Sequence, residues 1–183
     1  MRSSTRFIAI QRISFILLSF SVAFTATSAH AQRNTIQRRA KMWEGLAVST
    51  KATVTFNGRT YTRTADAQCE FDERAAPGTQ RIQWNVMYPP FGASAEPAPL
   101  RTFALAIANP AAGKAIPFSF AFGTDGESPM IQTLGRPSGS GTVRIRREGT
   151  RAIFDVSGKD DRGRAITARL ECSHVRKPEA TGG

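Results

Sequence analysis

Histidine is nearly absent: the 183 residues hold two, His30 and His174. A zinc centre of three histidines, or of histidine with cysteine, cannot be assembled from that inventory. A Ser-His-Asp triad would have to use His174, and no G-x-S-x-G elbow accompanies it. Cysteine is as scarce, with Cys69 and Cys172 alone. No C-x-x-C occurs, which excludes a thioredoxin-like redox site. Cys172-Ser173-His174 places a thiol and an imidazole on one strand face, but such a nucleophile needs a free thiolate, and Cys172 is better used in a bridge. The chain also lacks a phosphate-cradling glycine loop and a dinucleotide fingerprint. Asp125-Gly126-Glu127 and Asp160-Asp161 lack the alternating oxygen spacing of a calcium loop; both read as turns. The residues therefore nominate no catalytic group, no metal ligand and no cofactor.

Long apolar runs are missing too. The longest stretch, Ile13 to Phe24, is broken by serines and falls short of the roughly 20 apolar residues of a membrane span. It follows Arg2, Arg6 and Arg12 and precedes Ala29-His30-Ala31. A basic start, a short apolar centre and an A-x-A site predict a secretory signal peptide over residues 1–31. Acids are outnumbered, 14 against 25 basic residues, for a formal charge of +11. Removing the leader takes three arginines and no acid, leaving 22 basic against 14 acidic residues, a net +8. That balance favours anionic partners, and export points to an anionic lipid or glycan, or another protein, rather than nucleic acid. Neither cysteine adjoins the cleavage site, so no acylation signal is present, and no transmembrane segment is expected in the mature chain. Periplasmic or secreted localisation is the expectation.

What is present is two-residue periodicity. Residues 32–49 read equally as a short amphipathic helix, with Ile36, Ala40, Trp43 and Ala47 at helical spacing, or as a frayed basic linker. From Thr50 onward Ala52, Val54 and Phe56 alternate with polar residues. Asn57-Gly58 then separates this run from Arg59 to Thr64, the strongest short-range hairpin signal. Further alternating runs follow at Gln68–Asp72, Ile82–Val86, Phe103–Ile107, Ile116–Phe122, Met130–Leu134, Val143–Ile145, Ala152–Val156 and Ile166–Cys172. Tyr88 to Pro99 contains four prolines and predicts a long surface loop. Eight or nine short strands at such spacing predict an all-β antiparallel sandwich over 50–174, with 175–183 a disordered tail.

Cys69 shares a face with Phe71, and Cys172 with Leu170. Both point inward, and an even number of cysteines in an exported chain predicts one disulfide between them. Closing a loop of about 100 residues stabilises by roughly 4–5 kcal/mol in the chain-entropy picture. In the last third, a two-residue turn at Glu148-Gly149 would set Arg146 opposite Arg151. Arg144 and Arg146 would share an outer face with Arg169. Like charges facing one another cost stability, so Arg144, Arg146, Arg151 and Arg169 form a candidate anion site. The alternative is a solvated face whose arginines reach Asp155, Glu148 or Glu171.

Ala52 to Gly58, Cys69, Gly141 to Gly149, Ile153 to Gly158 and Ala168 to Cys172 together resemble the small mycobacterial lipoprotein antigens of the cell envelope and related exported β-domains. The resemblance spans most of Thr50 to His174 as a pattern of strands, turns and one cysteine pair. It implies a bridged β-sandwich at the cell surface or in the periplasm, without enzyme activity. The acylated cysteine of those proteins has no counterpart here, so their lipid anchoring does not carry over. The expected function is thus an exported, non-catalytic binding or structural protein of the envelope. A hydrolase of cell-wall or glycan substrates, using two carboxylates, is the alternative. An inhibitor of an extracellular enzyme, presenting Tyr88 to Pro99, is a third reading.

Overall fold

A computed structural model describes residues 47–89 and 95–178. The predicted signal peptide, all but the end of the 32–49 lead-in, residues 90–94 of the proline-rich loop and residues 179–183 lie outside them. Nine strands follow in order: β1 Val48–Phe56, β2 Arg59–Phe71, β3 Ile82–Tyr88, β4 Thr102–Ala108, β5 Phe118–Gly123, β6 Met130–Gln132, β7 Ser140–Glu148, β8 Arg151–Lys159 and β9 Ala165–Cys172. Every strand pairing is antiparallel, and no helix occurs among the described residues.

The predicted all-β fold and its disulfide are present, but the sandwich of two separate sheets is corrected to one. The strands form a single sheet in the order β6-β5-β4-β3-β2-β1-β9-β8-β7, curled until β6 and β7 come near one another, with Gln132 of β6 bridged to Ser138 in the segment just before β7. The reason lies in β2. The sequence suggests two short strands separated by Ala65-Asp66-Ala67, whereas one 13-residue strand runs through. Its first part, Arg59–Ala67, pairs with β1, and its last part, Gln68–Phe71, pairs with β3. One strand thereby belongs to both layers and joins them into a barrel-like sheet.

The hairpin at Asn57-Gly58 is as expected. Phe56 pairs with Arg59, and both turn residues have positive φ, 52° and 72°, as a type I′ turn needs. The two layers meet through aromatic rings: Phe56 of β1 lies edge-on to Phe122 of β5 at 5.5 Å, and Trp84 of β3 edge-on to Phe154 of β8 at 5.3 Å. Phe103, Phe118, Phe120, Leu105 and Leu170 fill the interior. Near the closing seam Gly141 and Gly158 pair with each other. A Cβ on Gly141 would come 3.3 Å from the Phe118 ring, and one on Gly158 would reach Ile131 at 2.9 Å. Their bare backbones let β7 and β8 lie against β5 and β6.

Cys69 and Cys172 are bonded, 103 residues apart. Residues 175–178, part of the segment 175–183 expected as tail, continue the domain. Arg176 takes the place that β1 vacates beside β2: its amide donates to the Cys69 carbonyl at 3.0 Å, and its carbonyl accepts from the Phe71 amide at 2.9 Å. Val175 donates to the Thr150 carbonyl, and Lys177 meets Glu73. A disulfide fits an oxidising, non-cytoplasmic compartment. No helix among the described residues is long and apolar enough to cross a membrane.

Candidate functional site

The outer face of β2-β1-β9-β8-β7 is where the four predicted anion-site arginines come to lie, but in a different register. The turn is Gly149-Thr150, not Glu148-Gly149, so Glu148 pairs with Arg151 and Arg146 with Ile153. Gly149 carries the positive φ, 61°, at the first turn position, where a II′ turn favours glycine. The shift is two residues, which preserves the faces but removes the expected Arg146–Arg151 opposition. Arg144 instead lies opposite Asp155.

Acids thread between these arginines. Asp155 accepts from Arg146 at 2.9 Å and from Arg169 at 3.1 Å. Glu171 accepts from Arg169 at 3.0 Å and lies 3.9 Å from Arg151. Of the four, Arg144 alone makes no ion pair among the described residues. The face is therefore an alternating lattice of charge, not a bare cationic patch. Exposed pairs of this kind add little stability. Their effect is to fix the guanidinium planes.

Beside that lattice runs a second row, which sequence reasoning missed. The registers place Thr60, Thr55, Thr167, Ser157 and Thr142 side by side across five strands. The hydroxyls of Thr55 and Thr60 are 3.0 Å apart, and those of Thr53 and Thr62, one step along, 3.4 Å apart. In the next row two hydroxyls, Thr62 and Thr53, lead into Arg169, Asp155 and Arg144, where the sign of the charge alternates. The signal in the sequence is the repeated Thr-x-Thr of Thr53–Thr55 and Thr60–Thr64. Period two puts these on one face, but their alignment with Thr142 and Thr167 needs the strand order.

Two charged side chains are buried among the described residues, Arg63 and Asp160. Each holds a loop. Arg63 projects inward from β2, its guanidinium 4.3 Å from the centre of the Tyr88 ring. It donates to the Tyr88 hydroxyl, to the Glu96 and Leu100 carbonyls at 3.2 Å and to the Glu96 carboxylate at 3.2 Å, while its Nε finds no partner among the described residues. The described end of the proline-rich loop is thus clasped to β2. Asp160 sits between β8 and β9. Its Oδ1 accepts from the amides of Arg162 and Arg164, its Oδ2 from Arg164 Nε. Burial raises its pKa, but the Arg164 backbone and side-chain hydrogen bonds, with the Arg162 amide, outweigh that and hold it below the ordinary carboxylate value. A general acid needs the opposite displacement.

Asp160-Asp161 and Asp125 to Glu127 are turns, as expected, with Thr124 donating to the Glu127 carbonyl. No group of three or more metal-ligating side chains occurs among the described residues. His174 follows β9, with its Nδ1 3.4 Å from Ser173 Oγ. No protein-family model matches the chain, and neither a curated protein nor a solved structure is significantly similar to it.

Proposed function

We propose that this chain is an exported, non-catalytic binding domain of the cell envelope. Its ligand is an anionic glycan, met by the outer face of β2-β1-β9-β8-β7. The observation that carries this reading is the row of five hydroxyls lying next to the row of alternating arginine and acid. A glycan presents hydroxyls that both donate and accept, and hydroxyl side chains do the same. Its acidic groups suit guanidinium forks. Arg144 is available for such a group. The excess of basic over acidic residues raises the local concentration of an anionic polymer. The resemblance to small envelope lipoprotein antigens supports the same compartment.

The use of Asp160, the one buried carboxylate among the described residues, in holding a turn favours binding over the carboxylate hydrolase. The test is retention of the mature protein on immobilised dextran sulfate, with neutral dextran and phosphatidylglycerol vesicles in parallel. Retention on dextran sulfate, lost in Arg144→Ala/Arg146→Ala with an unchanged melting temperature, is the expected result. Retention on vesicles alone, or retention that the double variant leaves intact, overturns it.

A further inference from the structure

At one end of the sheet three loops, residues 124–129, 133–139 and 160–164, surround a cleft of about 280 Å3. None of its lining residues belongs to the hydroxyl row, so its chemistry is independent of the glycan reading. Arg164 forms one wall. It is pinned by Asp160, donates to the Glu127 carboxylate and lies 4.7 Å above the Phe56 ring. Arg164 is thus shared between the Asp160 and Glu127 carboxylates, and the three groups together carry one net negative charge.

Two further charges line the cleft, Asp161 and Arg162, adjacent in the β8–β9 turn. Both are exposed, and neither makes an ion pair among the described residues. The cleft also holds Met130, the one large hydrophobic side chain classed as exposed among the described residues, 37% accessible. Ser138 adds a hydroxyl, and the pairing of its backbone with Gln132 keeps it in place. The cleft is mainly polar and offers one carboxylate and one guanidinium without ion-pair partners among the described residues, a hydroxyl and one apolar contact. Its volume suits a ligand below drug size.

We propose that this cleft binds a free α-amino acid with an apolar side chain. Arg162 takes the ligand carboxylate in a charge-assisted pair, Asp161 takes the ammonium, and Met130 covers the side chain. The test is calorimetric titration of the mature, disulfide-bonded protein with L-leucine and L-methionine, and in parallel with N-acetyl-L-leucine and L-leucine amide. Saturable binding of the free amino acids is expected, at least tenfold weaker for each capped form. Arg162→Ala and Asp161→Asn should each weaken binding at least tenfold, and Met130→Ala several-fold, at unchanged melting temperature. Should Asp161→Asn melt early, the capped ligands on the unaltered protein carry that half of the test. Absence of binding, equal binding of a capped form, or full binding by Arg162→Ala overturns the proposal.

Discussion

Asp160 and Arg164 are joined twice: the Arg164 amide donates to Asp160 Oδ1 at 2.8 Å, and its Nε to Oδ2 at 2.7 Å. The carboxylate is buried, and its hydrogen bonds hold its pKa below the ordinary value. A carboxylate depressed in the folded state contributes its full stability above the unfolded pKa of about 3.9 and loses it as pH falls through the lower folded value. Asp160→Asn should therefore cost about 2–4 kcal/mol at neutral pH, since it leaves the guanidinium without its buried partner. The gap to the unaltered protein should narrow below about pH 4. Urea unfolding from pH 7 down to pH 2.5 measures it. A gap independent of pH would show that the charge on Asp160 is not what secures the turn.

The Cys69–Cys172 bond joins the stretch of β2 that has left β1 to the end of β9. Its loop is long, so the entropy removed from the unfolded chain is large. Cys69→Ala/Cys172→Ala should lower stability by about 4–5 kcal/mol, or on the order of 10–15 °C in melting temperature. Differential scanning calorimetry of the double variant and of the reduced protein should agree. A shift of only a few degrees in both would mean that packing around Arg176 and Trp84 replaces the bond.

How far the sequence reaches is plain from particular residues. Asn57-Gly58 specifies its own turn, because positive φ at both positions is a local demand. The inward faces of Cys69 and Cys172 follow from period two alone. The β7–β8 register does not: Gly149 is compatible with either turn position, and only the pairing of the whole strands shows which one it takes. Likewise, nothing local reveals that β2 exchanges β1 for β3 at Gln68. That exchange is a tertiary event, and it turns an expected two-sheet sandwich into one curled sheet. Arg63 was illegible for the same reason. It lies on the buried face of an otherwise polar run, and its partners Tyr88, Glu96 and Leu100 come from 25 to 37 residues away.

Arg63 offers a test of that clasp. Arg63→Met keeps much of the apolar stem but removes every donor to the 96–100 segment. Stability should fall by about 1–3 kcal/mol, the usual cost of stranding buried polar groups. Hydrogen exchange at residues 95–101 should accelerate more than exchange at the β8–β9 pairing. Uniform acceleration throughout would mean that Arg63 serves the core as a whole.

Gly158 decides how closely the sheet can curl. A Cβ there would collide with the Ser140 carbonyl and would meet the Gly141 Cα at 2.8 Å and Ile131 at 2.9 Å. Two of those contacts are backbone, which cannot rotate away. Gly158→Ala should therefore destabilise by about 1–3 kcal/mol through overpacking, despite alanine's lower backbone entropy cost. Gly58→Ala is the comparison: nothing lies near its Cβ, but its φ is +72°, so its loss should reflect turn strain alone. Chemical denaturation of both separates crowding from conformation. A Gly158→Ala protein as stable as the original would mean that β6 and β7 are not held in contact.

Asp155 is the acid shared by Arg146 and Arg169 and the register partner of Arg144. Neutralising it should barely alter folding, since the group is partly exposed and pairs of this kind contribute at most about 1 kcal/mol. Its effect on binding should be larger. Asp155→Asn leaves Arg146 without its ion-pair partner and Arg169 with Glu171 alone, beside an Arg144 that has no such partner among the described residues, so retention on dextran sulfate should strengthen and persist to higher salt. Asp125→Asn makes the same change in net charge at a site where the acid pairs with Arg101 instead. If the outer face of β7, β8 and β9 receives the polymer, only Asp155→Asn raises the eluting salt concentration appreciably. Equal shifts from the two variants would trace retention to overall charge, and the ordered face would then lose its claim as the binding surface.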